Sequence, residues 1–192
     1  RLLLTVGRLI ERKGVAWFVR EVLPNLSPNV VYAVAGAGPE AGHIRAAAQQ
    51  AGVDARVRLL GRLPDALLAA AYHAADLFVM PNIPVLGDLE GFGLVALEAS
   101  ASGLPVVAAN LEGITEAVQN ERNGFLILPR AADAYVETLQ RLLSLPQDQL
   151  RSIGKAFRDF TVREYSWSRT AERYIEVISQ IARSPDALLS AA

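Results

Sequence analysis

Six short runs rich in Leu, Val, Ile and aromatic residues alternate with helix-like stretches over the first 128 residues, and this alternation constrains the fold most. The runs are Leu2 to Val6, Val30 to Ala35, Arg56 to Leu60, Leu77 to Met80, Val106 to Ala108 and Phe125 to Leu128. Between them, helical patterns cover Val15 to Leu23, Pro39 to Ala51, Pro64 to Ala74, Phe92 to Ser102 and a short piece near Ile114 to Val118. Strands separated by helices pair in parallel through right-handed crossovers. The expectation is therefore an α/β, Rossmann-like open parallel sheet of about six strands with helices on both faces. Pro39 and Pro64 suit the first helical turn, where a missing N–H costs nothing, and Gly52 and Gly103 suit helix stops.

After Leu128 the pattern turns wholly helical: Ala132 to Ser144, Pro146 to Glu164 and Trp167 to Arg183, the last with Ser166 as its cap. Trp167, Tyr174, Ile175, Ile178 and Ile181 recur at helical spacing and read as a core-packing stripe, with a neighbouring domain as the alternative partner. Residues 184–192 read as a flexible tail.

A chain of 192 residues, 52% hydrophobic, supports one sizeable core, so one domain is expected over residues 1–183. Nineteen basic and 20 acidic residues give a net charge of −1, so no global field draws the chain to nucleic acid. Any anion must be held locally. There is no cysteine, which removes disulfides and thiolate chemistry and suits a reducing compartment. His43 and His73 have no ligand spacing around them, and Asp88 with Glu90 lacks anything to complete a coordination shell, so no metal is expected. No apolar run approaches the ~18 residues of a membrane span. A cytoplasmic location is expected. The sequence opens at Arg1 and enters a strand at once, which reads as a piece of a longer protein.

Ligands of open parallel sheets bind beyond the carboxyl ends of the strands, so the loops there hold the candidate chemistry. After the first strand stands Gly7-Arg8-Leu-Ile-Glu-Arg-Lys13-Gly14. Gly7 permits a turn, and Arg8 and Lys13 can converge on one anion, unless Arg8, Glu11, Arg12 and Lys13 are merely a solvated charge cluster. Gly36-Ala-Gly38-Pro39, with Gly42, makes a loose dinucleotide-like pattern, but the acidic residue wanted after the next strand is replaced by Gly61-Arg62. The loop Gly61-Arg62-Leu63-Pro64 can present backbone groups to a nucleobase edge.

The segment Glu90-Gly-Phe-Gly-Leu-Val-Ala-Leu-Glu98 is the most specific of these. Gly91 and Gly93 admit close backbone approach, and the run from Leu94 to Ala101 can carry a helix whose free amides favour an anion. Each acid alone could be an ordinary solvated glutamate. Together, at a helical rise, they lie roughly 10 Å apart along the axis, a fit to a pyrophosphate joining two sugars.

These residues resemble the donor-binding, C-terminal half of the retaining GT-B glycosyltransferases of family 4. The resemblance runs over nearly the whole chain: Val6-Gly-Arg8 with Lys13-Gly14, Gly36-x-Gly38-Pro39, Tyr72 with Ala75-Asp76 before Pro81, Glu90-Gly-Phe-Gly to Glu98-Ala, Gly103-Leu-Pro-Val-Val, Glu116-Ala-Val and Asn123-Gly-Phe. It implies one half of a GT-B fold that binds a nucleoside-diphosphate sugar and moves a hexosyl-type group without metal or cofactor. It further implies that Arg8 and Lys13, with Gly7, hold the donor diphosphate and that Glu98 accepts from the ribose hydroxyls. Glu90 and the amides of Gly91, Phe92, Gly93 and Leu94 would hold the transferred sugar, and Leu63 would meet the base. Glu90, Arg8 and Lys13 are the catalytic candidates.

The acceptor and its general base would come from an N-terminal domain absent from this chain, so the piece alone would be inactive and would self-associate through the surface left exposed. Peripheral membrane contact, if any, would come through that missing domain. Two departures from the family pattern bear on base and sugar preference: Asn82 stands where serine usually follows the proline, and the loop from Ile83 to Leu89 is long. The competing readings are a sugar-nucleotide epimerase of the same fold, a dinucleotide-binding oxidoreductase domain, and a non-catalytic module whose C-terminal helices serve a partner.

Overall fold

A computed structural model describes residues 1–183. The elements run β1 (Leu2–Val6), α1 (Val15–Glu21), β2 (Val31–Ala35), α2 (Ala41–Gln50), β3 (Val57–Gly61), α3 (Asp65–Ala74), β4 (Leu77–Met80), α4 (Leu94–Ala101), β5 (Val106–Ala109), α5 (Ile114–Ala117) and β6 (Phe125–Ile127). Three helices follow: α6 (Ala132–Leu143), α7 (Gln147–Glu164) and α8 (Trp167–Arg183). All strand pairs are parallel, in the order β3-β2-β1-β4-β5-β6. The chain builds outward from β1 to β3, returns, and builds the other way from β4. The order therefore reverses between β1 and β4, which opens a crevice above their carboxyl ends.

Side chains two apart on a strand share a face, and that period divides the core. Leu3, Tyr32, Val34, Leu77, Val79 and Val107 meet α1, α2 and α6 on one side. Leu4, Ala33, Phe78, Met80, Val106 and Ala108 meet α3, α4 and α5 on the other. The small residues of α4, Ala96 and Ala99, let that helix lie close to the sheet, and Ser100 exchanges a 2.8 Å hydrogen bond with Thr161 of α7 on its outer side. Gly154 of α7 rides directly on the Gly103 carbonyl, where an added Cβ would come within 2.0 Å.

Two expectations need correction. Helix α4 covers Leu94–Ala101, the narrower of the two spans read from its pattern and not the wider Phe92 to Ser102, because Gly93 takes a left-handed φ of 79° and ends the loop there. Half of the span from Glu90 to Glu98 is thus loop, and the axial spacing of a helix does not apply to it. The stripe on α8 is also not core: Trp167, Tyr174, Ile175 and Ile178 are all exposed, Trp167 at 89%. Ser166 caps the helix as expected, accepting from the Arg169 amide at 3.2 Å. The tail expected over residues 184–192 lies outside the described residues.

Candidate functional site

The loop after β1 is pressed against the end of β4, and this contact creates the site. Gly14, with φ 66°, sits so near the Pro81 carbonyl that a Cβ would come within 1.9 Å of it, and the Ile83 amide donates to the Arg12 carbonyl at 2.9 Å. The 3-10 turn Glu11–Lys13 then points Arg12 and Lys13 inward, both 8% exposed, while Arg8 and Glu11 stay in solvent. The charged loop is thus two kinds of residue, not one solvated cluster.

Glu90 is where the inward cations end. Lys13 Nζ donates to Glu90 Oε2 at 2.5 Å, and Asn82 Nδ2 donates to the same oxygen at 2.9 Å. Arg12 Nε lies 3.5 Å from it, too poorly aligned to bond, while Arg12 Nη1 donates to Asp88 at 2.9 Å. The Lys13 and Glu90 side chains are each 10% exposed. Burial by itself would raise the Glu90 carboxyl; hydrogen bonding and charge from Lys13, then Asn82 and Arg12, outweigh it and hold the group below its ordinary value. The anionic form is the resting form. Among the described residues, Glu90 is the one partner of the Lys13 ammonium, which leaves two of its three donors for another anion.

The backbone beside Glu90 is braced from β5. Gly113 packs so tightly on the Gly91 carbonyl that a Cβ would stand 1.9 Å away, and Glu112 accepts from the Glu90 amide while holding a positive φ of 49°. Strain of that kind in a non-glycine residue persists only where its surroundings demand it. Gly91 itself is exposed, and on the side where a Cβ would project it meets nothing within 4 Å, although its carbonyl is covered by Gly113.

Glu98 occupies a different setting. It is exposed on α4, and Tyr72 Oη of α3 donates to its Oε2 at 2.9 Å. A groove of about 330 Å³ is lined by Leu68, one turn before Tyr72, with Gly7, Arg8, Gly36, Arg62 and Leu63, while Tyr72 itself lines a separate hollow of about 220 Å³ with Asp76 and Gly103. Gly7 links groove and buried cluster: the direction its Cβ would take ends 3.5 Å from Lys13 Cε and 3.8 Å from Nζ. The fold therefore brings Gly7, Lys13 and Glu90 into one contact, places Arg8 and Leu63 in the neighbouring groove, and leaves Glu98 outside that groove's lining, on Tyr72. A larger hollow of about 560 Å³, lined by Trp17, Glu40, His43 and Arg130, lies beside α1 and α2 and contains neither acid.

Reading the sequence missed Arg12, Asn82 as a ligand of Glu90, Glu112 and the bond from Tyr72. Only the Glu112-Gly113 pair at the end of β5 carries a local signal, a glycine directly after an acid at a strand end. The others depend on which strands become neighbours. The glycines at 36 and 38 are taken up by loop contact: Cβ atoms there would meet the Gly7 carbonyl at 1.8 Å and the Leu9 carbonyl at 2.3 Å. No group of three or more His, Cys, Asp or Glu able to hold a metal is found among the described residues. No described helix is long and apolar enough to cross a membrane.

The family model for glycosyl transferases group 1 matches residues 1–145. The chain is 32% identical over 178 residues to the GDP-mannose-dependent alpha-(1-6)-phosphatidylinositol monomannoside mannosyltransferase of Mycobacterium tuberculosis, covering 90% of this chain and 46% of that protein. Among solved structures it is similar to sucrose-phosphate synthase from Thermosynechococcus elongatus, with a TM-score of 0.78 and 29% identity over 95% of this chain and 46% of that one. The C-terminal domain of a glycosyl transferase group 1 family protein from Francisella tularensis gives a TM-score of 0.70 and 26% identity, covering 86% of this chain and 87% of that domain. The chain spans less than half the length of the curated relatives named first among its matches.

Proposed function

The chain belongs to the glycosyl transferases group 1 family, and from that membership we propose that it is the donor-binding half of a retaining, family 4 glycosyltransferase. It binds a nucleoside-diphosphate sugar and delivers a hexosyl-type group, with no metal, to an acceptor held by an N-terminal domain of the same protein. The fold is half of a GT-B architecture, and the acceptor side and its base come from the other half. The isolated piece binds donor without transferring it. In the whole protein the location is cytoplasmic, with any membrane contact made by the other domain.

One observation carries this reading: a buried ammonium, Lys13, sits against Gly7 and Glu90 where the strand order reverses, with donors to spare. A diphosphate placed over Gly7 meets Lys13 from below and Arg8 from the groove side. As the bond to the sugar breaks, negative charge grows on the departing diphosphate, and fixed cations with the free amides of α4 stabilise it without reorganising. Glu90, kept anionic, accepts from hydroxyls of the sugar together with the backbone of Gly91 to Leu94. Glu98 accepts from the ribose, and Leu63 meets the base at the groove's far wall.

Titration calorimetry with GDP, UDP and ADP tests the assignment. GDP is the first to try, since a relative at 32% identity is named for GDP-mannose. At least one nucleotide is expected to bind at or below millimolar concentration, and Lys13→Ala and Glu98→Ala each to weaken it about tenfold or more. No binding by any of the three, or variants that bind like the parent, would overturn the site.

A further inference from the structure

The bond between Tyr72 and Glu98 deepens the donor reading and rests on it. Tyr72 is 4% exposed on the face of α3 that turns toward the sheet, its ring 6.0 Å from Phe78 between centroids. A carboxylate accepts and cannot donate, so the phenol proton must point at Glu98. Burial, and then the Glu98 charge and hydrogen bond, push the phenol well above its ordinary range, so that proton stays in place at any physiological pH. Only one of the two carboxylate oxygens is used. Tyr72 takes Oε2 at 2.9 Å, and among the described residues Oε1 has no partner.

An exposed glutamate on a helix samples many rotamers, and ordering it on a ligand costs entropy. Here the rigid, buried phenol has already fixed one oxygen. Leu68, a turn earlier on the same face of α3, lines the groove that holds Arg8 and Leu63, so the helix that carries the phenol also forms a wall of that groove. We infer that Tyr72 is a positioning residue that aims Glu98 at the ribose diol of the nucleotide, so that the site selects ribonucleotides over nucleotides lacking those hydroxyls. Tyr72 touches no substrate. Its effect passes entirely through Glu98.

The test uses the chain as it stands. Calorimetry compares whichever of GDP, UDP and ADP binds tightest with its 2′,3′-dideoxy counterpart, for the parent, Tyr72→Phe and Glu98→Ala. The parent should prefer the ribonucleotide by about tenfold or more, the worth of charge-assisted hydrogen bonds. In Tyr72→Phe that ratio should collapse severalfold while the dideoxy affinity stays unchanged, which a merely structural tyrosine would not produce. If Tyr72→Phe keeps the parental ratio, or weakens both ligands equally, Tyr72 does not position Glu98. If Glu98→Ala also keeps the ratio, the ribose does not meet Glu98 at all, and the donor assignment of that acid falls with the inference. A thermal melt of each variant confirms that the fold is retained.

Discussion

Glu90 and Glu98 are the same residue type, eight positions apart, yet the fold treats them as opposites. Glu90 is enclosed in the loop between β4 and α4, with one oxygen shared by an ammonium and an amide and a guanidinium close by. Glu98 stands in solvent on α4 and, among the described residues, has one neutral donor, a phenol. A spacing in sequence thus says nothing about equivalence of role. The enclosed acid is paired to stay charged, and a charge so paired is costly to disturb. The exposed acid has an oxygen to give. Stability should therefore depend on Glu90 and its partners, and ligand selectivity on Glu98.

The largest effect expected from breaking this contrast is that of Lys13→Met. It leaves Glu90 enclosed without its principal cation, and removing one partner of a buried pair costs about 3 kcal/mol. Urea unfolding measures it. A loss below about 1 kcal/mol would mean that water reaches Glu90 and that the two acids are more alike than their surroundings indicate. Asn82→Asp should come next, at about 2 kcal/mol, because it replaces a donor at 2.9 Å with a second carboxylate. The same variant should raise the Glu90 pKa, visible as a shift of the acid unfolding limb toward higher pH.

The sign of that acid limb follows from Glu90's lowered pKa. Its folded value lies below the ordinary 4.5, so in this fold its pairing adds stability above pH 4.5 and loses it as pH falls through the lower, folded value. The parent should therefore lose stability on acidification below pH 4.5 more steeply than Glu90→Gln. Equal slopes for the two, from urea midpoints taken at pH 6, 5, 4 and 3, would show that Glu90 is not held anionic by its neighbours.

Much of the architecture was legible in the chain, because period and punctuation are local. Strands β1 and β4 coincide with their apolar runs, and the switch to helices after the sixth run is real. What failed did so where a local pattern has two physical readings. The apolar residues of α8 repeat at helical spacing whether they meet this core or another surface, and they do not meet this one. Phe92 looks like the start of a helix, but the left-handed Gly93 delays it. In the site, the residue types were readable and their pairing was not. Lys13 and Glu90 are 77 positions apart and meet only because β1 lies beside β4. Arg12 and Asn82 were hidden for the same reason, since nothing local distinguishes a buried guanidinium or amide from a solvated one. Tyr72 stood in the motif without a role until α3 and α4 were placed side by side.

The smallest expected effect is the one that separates the two acids most cleanly. Glu98→Gln keeps an oxygen able to accept from Tyr72 and changes only charge at an exposed position, where substitutions seldom alter stability measurably. Its melting temperature should stay within about 2 °C of the parent's. Glu90→Gln, by contrast, removes the charge that Lys13 and Arg12 face and should melt clearly lower. If Glu98→Gln fell as far as Glu90→Gln, the exposed acid would be part of the frame, and the division of labour between the two would be wrong. If it melts like the parent yet binds the ribonucleotide less tightly, charge on Glu98 serves the ligand alone, because the fold has been shown not to need it.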